Sequence, residues 1–452
     1  MTKTANTVHL VSLECARNLV DSELMLGQLA GNGHGITDDP SRADVIIVNT
    51  CSFIGSAVDE SIDTILELAQ YKTSGNCRRL IVAGCLPERF REKITESMPE
   101  VDFFLGTGAY RKIADAVEKE SGENLSSCML PNPESAPLQS RNELRVRTSP
   151  YTAYIKIAEG CNKKCTFCMI PKLRGGLRSR AGGDIIAEAL LLKESRIKEI
   201  TLIAQDTTCY GIDFTPAKRL DFLLDDLARV SGGIWLRMLY GHPESIDDRI
   251  IKTVARHSNI CSYFDIPIQH ASNRVLKRMG RRYTSDYLKR LFTKIRFLVP
   301  DASIRTTAIV GFPGETEEDF QTLLEFVEEM GFDHLGVFTY SDSDELVSHR
   351  LPDHVDHDVA IERYDRLMLS QAGISYENNK KYINGIYNVL IEEGPVDGHY
   401  IGRTSFQAPE VDGVTFIQSD GPGGESSEIE KGSFIMVKIT EAFEYDLTGV
   451  PV

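Results

Sequence analysis

Short, nearly unbroken apolar runs recur along residues 1–125. Val8–Leu13, Asp44–Asn49, Leu80–Gly84 and Asp102–Leu105 read as strands, with amphipathic stretches such as Ser56–Ala69 between them. Apolar strands alternating with helices predict a parallel sheet covered by helices. The alternation stops over residues 129–147, where Pro131, Pro133 and Pro137 interrupt any period, and this stretch reads as a linker. It resumes with strands at Ala153–Ile157, Glu199–Ala204, Trp235–Leu239, Tyr263–Ile266, Ser303–Val310 and His334–Thr339. Helical runs separate them, for example Gly183–Lys193 and Glu317–Met330. Six βα units in roughly 220 residues predict an open, partial (βα)6 barrel, because a closed eight-unit barrel takes about 250. After Asn379 the period becomes that of strands, at Gly385–Ile391, Tyr400–Thr404 and Ser433–Thr440, broken by turns such as Gly421-Pro422-Gly423-Gly424. That pattern predicts a small all-β barrel of five strands. The fold class is thus α/β multidomain, with units at 1–128, 148–378 and 379–452 joined through the linker.

Composition narrows the class. Hydrophobic residues make up 42% and charged residues 26%, the balance of a soluble globular chain. No apolar run reaches the ~20 residues that span a bilayer, and Met1–Asn6 leads into a strand without a signal-like apolar segment. A cytoplasmic protein with no membrane partner is expected. The net charge of −16 disfavours strong nonspecific nucleic-acid binding and favours a basic protein partner.

Six of the ten cysteines form two sets. Cys161, Cys165 and Cys168 are spaced C-x3-C-x2-C, with Phe167 before the last. Three thiolates can hold three irons of a cubane cluster and leave the fourth iron open to a small molecule. Structural zinc is the competing reading, but it needs a fourth ligand and none follows closely. The motif also falls just after a strand, at the mouth of the first βα unit. Cys15, Cys51 and Cys85 follow the first three strands. In a parallel sheet those ends share one edge, so the three should converge. The alternatives are cysteines buried as small hydrophobes and a three-cysteine zinc site. Cys77 and Cys128 lie in polar, irregular stretches and read as surface or linker residues, whereas Cys209 and Cys261 read as packing.

The C-x3-C-x-Phe-C loop resembles the signature of the radical S-adenosylmethionine enzymes. The resemblance implies a [4Fe–4S] cluster on Cys161, Cys165 and Cys168 whose open iron binds S-adenosylmethionine and releases a 5′-deoxyadenosyl radical. Phe167 fills the aromatic place. Ile309, Gly311, Pro313 and Gly314, in the run Ala308–Glu315, look like the glycine-rich segment that approaches the adenosyl group; the plainer reading is a turn opening the next helix. Gln205-Asp206 and Gln269-His270 occupy strand ends suited to polar contact with cofactor or substrate, and His270 beside Gln269 reads equally as structural or functional.

The two triads and the β-rich tail together resemble the methylthiotransferases across nearly the whole chain. The resemblance implies a second [4Fe–4S] cluster on Cys15, Cys51 and Cys85, a TRAM domain at the C-terminus, and S-adenosylmethionine as both methyl donor and radical source. It assigns no catalytic residue beyond the cluster ligands, and it implies a reductant such as flavodoxin or ferredoxin and a sulfur donor. One branch of the family modifies a tRNA adenosine; the other modifies the β-carbon of an aspartate in ribosomal protein S-twelve. Asn18–Glu23, Ile170–Gly175, Ala204–Thr207, Asp265–Ser272 and Ala408–Gly413 look like the second branch. Charge points the same way: residues 380–452 hold five Lys/Arg and twelve Asp/Glu, a net of −7, which repels phosphate and suits a basic ribosomal protein. tRNA methylthiolation and a non-catalytic iron–sulfur carrier are the alternatives. Glu14, Ala16 and the Asp344-Glu345-Leu346 turn depart from the family pattern without removing a ligand.

Overall fold

The computed structural model describes residues 5–13, 15–118, 128–141, 143–396, 398–418 and 429–452. Its N-terminal sheet is parallel throughout, in the order Gly35–Ile36, Thr7–Ser12, Val45–Thr50, Arg79–Gly84, Phe103–Gly106, Cys128–Met129. The apolar runs explain this arrangement, since Val45–Thr50 is buried at every position and must be covered on both faces. Ile46, Val48, Leu80, Val82 and Phe104 pack on one face with Ile65 and Leu68 of helix Gly55–Ala69. Ile47, Ile81, Ala83 and Leu105 pack on the other with Met25 and Leu29 of helix Ala16–Gly31. Each fully buried Ile, Leu or Val contributes about 1.5–3 kcal/mol.

The barrel of the central unit has six strands in sequence order, beside a short antiparallel pair, Ala158–Glu159 with Arg178–Ser179. Thr152–Lys156, Glu199–Ile203 and Trp235–Met238 pair in parallel, as do Tyr263–Asp265, Ser303–Val310 and His334–Thr339. A single parallel bridge, Leu236 to Ile260, joins the two halves. Among the described residues no pairing connects the first strand with the last, so the barrel stays open. Local signals match the outer helices. Glu317–Met330 begins on a Thr316/Asp319 capping box and ends at the left-handed Gly331.

The C-terminal unit is a closed barrel in the order Ile386–Val396, His399–Thr404, Thr415–Gln418, Leu447–Pro451, Phe434–Ala442. The Gly421–Gly424 turn lies outside the described residues, as does Glu14. The run Ala408–Gly413 docks this unit onto the central one: Asp412 accepts from the Tyr263 hydroxyl at 2.6 Å and from Arg305 at 2.8 Å. Among the described residues no helix is long and apolar enough to cross a membrane.

The stretch expected as a linker is a packed strap. Cys128–Met129 forms the sixth strand of the N-terminal sheet. Arg145 then binds Glu23 of helix Ala16–Gly31, and also the Tyr154 carbonyl at 2.7 Å and Glu188 at 2.9 Å on the central unit. The strap passes so close that a Cβ on Gly27 would lie 2.2 Å from the Leu144 carbonyl. Its prolines limit regular structure to one short 3-10 turn at Pro133–Ser135; the docking comes from side chains that carry no periodic signal. Cys77 is buried in the N-terminal core rather than at the surface, because its segment closes over that core beside Leu80.

Candidate active site

Cys15, Cys51 and Cys85 follow three strands that are neighbours in the sheet, so their side chains reach one edge. Cys15 caps helix Ala16–Gly31, its Sγ accepting from the Asn18 amide at 3.4 Å, and Cys85 opens helix Cys85–Phe90. Burial pushes the Cys85 thiol up, with the Arg174 guanidinium working against that. Buried amides fix the three strand ends relative to one another. Asn18 Nδ2 donates to the carbonyls of Leu13 and Thr50, and Asn49 Nδ2 to the carbonyl of Asn18. Gly84 precedes Cys85 at φ +98°, where a Cβ would lie 2.5 Å from Asn49 Oδ1 and 2.6 Å from the Thr50 carbonyl. Gly84→Ala should therefore cost about 3 kcal/mol and displace this triad while leaving the loop of the other in place. Thermal unfolding and the reactivity of the thiols in each triad would read both effects.

The second triad sits on a loop held from two sides. The Cys161 amide donates to the Gly175 carbonyl at 3.0 Å, and the Thr166 amide to the Met279 carbonyl at 3.0 Å. Gly160 and Gly280 allow this close fit, since a Cβ on either would strike the opposing backbone within 2.6 Å. Phe167 meets Phe312 edge-on at 6.4 Å, with the Arg281 guanidinium 5.5 Å from its ring centre.

Both triads line one cavity of about 380 Å³ between the two units. A buried polar network forms one wall. Arg174 binds Asp21 at 2.7 Å and Asn18 at 2.6 Å, and its guanidinium lies 3.8 Å from Cys85 Sγ. Lys156 bridges Asp21 and Glu159, and Glu159 accepts from Gln205 at 2.7 Å. Burial works against the Glu159 carboxylate, yet Lys156 and Arg174 hold its pKa below the ordinary glutamate range. Glu345, in the turn that departs from the family pattern, pairs with Arg89 at 2.7 Å and with Lys172, so it ties the two units together. Leu346 packs against Cys85. Ala16, the other departure described, is buried between the units.

The thiol donor sets are those of iron–sulfur clusters. Burial, then Cys85 and Cys15, push Cys51 up to about 12; burial, with Cys165 and Cys161 adding to it, does the same to Cys168. Clustered thiols in such surroundings ionise when a polynuclear cation core offsets their mutual repulsion. Among the described residues no group of three His, Cys, Asp or Glu is arranged to hold a single metal ion.

The other sequence-predicted residues divide. Phe167, Gln205 and Gln269 line the cavity. Gln205 Oε1 is buried with no hydrogen-bond partner among the described residues, and Gln269 sits at φ +66°, a strained backbone common at working sites. Ile309, Gly311, Pro313 and Gly314 are not among the lining residues. Ile309 packs with Phe312 behind Phe167, while Gly311 and Gly314 leave room for Ala360 and for the Arg278 guanidinium. His270 is fully buried away from the cavity and accepts from the Ser272 amide at 2.9 Å. Sequence reasoning missed Arg17, Lys163, Arg174, Tyr240, His242 and Arg281, all of which line the cavity. Burial, with Arg281 and Lys163 nearby, pushes His242 down to about 2, so it stays neutral. Tyr240 and His242 follow a strand end, the one signal that could have flagged them.

The fold is that of the radical enzymes. A radical S-adenosylmethionine methyltransferase from Kitasatospora setae, solved with tryptophan and an analogue of S-adenosylmethionine, superposes with a TM-score of 0.53 at 14% identity, over 73% of this chain and 72% of that one. Residues 7–106 match the uncharacterized protein family UPF0004, residues 155–327 the radical SAM superfamily, and residues 385–452 the TRAM domain. Site and fold therefore define a radical S-adenosylmethionine enzyme with an added cysteine-bearing domain. Three relatives carry the description ribosomal protein uS12 methylthiotransferase RimO. That of Desulfosudis oleivorans is 51% identical over 98% of this chain and 99% of its own. Those of Clostridioides difficile and Geobacter sulfurreducens are 47% and 44% identical, with 98% and 99% of each chain covered. The chain belongs to the RimO family of methylthiotransferases. S-adenosylmethionine and two [4Fe–4S] clusters are the cofactors of this class.

Proposed function

We propose that this enzyme inserts a methylthio group at the β-carbon of an aspartate in ribosomal protein uS12 (S-twelve). The observation that carries the reading is that both cysteine triads line one cavity. In it, Cys161, Cys165 and Cys168 hold the radical cluster, and Cys15, Cys51 and Cys85 hold the auxiliary one. When bound, the groups supply a hydrogen-abstracting 5′-deoxyadenosyl radical, a methyl group and the sulfur. The chain supplies the rest. Phe167, Gln205 and Gln269 line the cavity where they would contact S-adenosylmethionine, and Ile309 packs behind Phe167, in the same run as Gly311, Pro313 and Gly314. The polar network around Arg174 holds the two units in fixed relation and keeps water out between them. Phe53 and Phe338 line the cavity yet stay 39% and 47% exposed, so they stand at its opening, where a substrate loop would enter.

A protein substrate is favoured over tRNA by the tail. Its acidic excess holds after the buried pairs are set aside, since Arg403 and Glu392 offset each other and, among the described residues, Asp412 is the one further acid buried against the central unit. A flavodoxin or ferredoxin as reductant, a separate sulfur donor and a cytoplasmic location complete the reading. In a strain lacking the gene, uS12 should weigh about 46 Da less, one S–CH3 in place of one H, with tRNA nucleosides unchanged. An unaltered uS12 mass with a lost methylthioadenosine would overturn it.

A further inference from the structure

Four cations line the cavity: Arg17, Lys163, Arg174 and Arg281. Arg174 is neutralised by Asp21, and Lys163 lies 3.4 Å from Glu244 and 3.8 Å from Asp206. Arg281, which follows helix Asn273–Arg278, packs against the radical loop, over the Phe167 ring and against His242. Arg17 stands on the other side, two residues after Cys15. Its guanidinium lies 4.5 Å from the Tyr240 ring centre, and Nη1 donates to the Ala204 carbonyl at 3.2 Å. Among the described residues no carboxylate lies within ion-pair distance of it. A guanidinium has five N–H donors in a planar fork that suits a carboxylate; here one goes to the Ala204 carbonyl and another faces the Cys15 thiol, and the rest of the fork has no partner among the described residues.

The chemistry of an aspartate substrate places an anion at this spot. Its carboxylate is one bond from the β-carbon, so a β-carbon brought to the auxiliary triad takes its carboxylate into the cavity. A carboxylate desolvated there needs a cationic partner. We propose that Arg17 receives the carboxylate of the target aspartate and is thereby a specificity-determining residue, an inference that rests on the function proposed above. It selects a side chain bearing an anion next to the reacting carbon and discriminates against its neutral isostere.

The test is binding to the holoenzyme without reductant, so that no turnover occurs. The probes are uS12 and uS12 with asparagine at the target position. Wild type should bind the aspartate form at least about tenfold more tightly, the scale of one charge-assisted hydrogen bond. Arg17→Gln should bind both forms alike, and Arg17→Lys should keep part of the preference, with iron and sulfide content equal to wild type in both. Retention of the full preference by Arg17→Gln overturns the proposal. So does loss of auxiliary iron in that variant, which would assign Arg17 to holding the cluster. A reduced holoenzyme that leaves uS12 unmodified overturns the function itself, a separate result from either of these.

Discussion

Replacing Cys15, Cys51 and Cys85 together by alanine should leave formation of 5′-deoxyadenosine intact and reduce methylthiolated product to below detection. The two triads are held by different frameworks, which is why the functions should separate. Strand ends and the Asn18–Asn49 amides position the first, while the turns at Gly175 and Met279 position the second. Removing three thiols from the sheet edge leaves every backbone bond of the radical loop in place. Iron should fall from about eight to about four per chain. Anaerobic assay of 5′-deoxyadenosine beside mass spectrometry of the substrate reads both quantities. Loss of S-adenosylmethionine cleavage along with product would mean that the triads do not act separately.

Glu199→Ala should destabilise the chain by about 3–5 kcal/mol, the usual cost of leaving buried charges without their partner. Glu199 is fully buried and binds Arg237 and Arg403 at 2.6 Å each, one from the central unit and one from the tail barrel. Removing it leaves Arg237 without a carboxylate and Arg403 with Glu392 alone, two buried guanidinium groups with one carboxylate between them. Burial works against the Glu199 carboxylate, but the two arginines hold its pKa below the ordinary glutamate range. Its contribution is therefore full above that range and is lost as the pH falls below it. The chain's one tryptophan is well placed to report the change. Trp235 packs on Phe434 of the tail barrel, with ring centres 4.7 Å apart, so denaturation followed by its fluorescence should show the tail unit parting early in the variant. An unchanged midpoint would mean that docking does not depend on this pair.

Much of this architecture is legible in the sequence because it rests on periodic or local signals. Ser303–Val310, His334–Thr339 and helix Glu317–Met330 fall where the pattern puts them, since each combines a clean period with a cap or turn. The convergence of Cys15, Cys51 and Cys85 is also foreseeable, because a parallel sheet leaves its strand ends on one edge. What escapes is contact between units. Arg145 across the strap, Glu345 between helices and the Asp412 docking bond join residues more than a hundred positions apart, and no local pattern encodes such pairs. For the same reason Ala408–Gly413 could be matched to a family but its docking role could not be read. Strand Thr415–Gln418 escapes for its brevity. The glycines at 311 and 314 were legible as turn formers, yet what they make room for, Ala360 and Arg278, lies on elements that only the fold brings near.

The central claim is that two clusters face each other across one cavity. Electron paramagnetic resonance of the reduced holoenzyme tests it most directly. Two clusters this close should give a spectrum broadened by their magnetic interaction, which collapses to that of one isolated cluster in the Cys15/Cys51/Cys85 variant. A wild-type spectrum of one cluster, or of two that do not interact, would contradict the account.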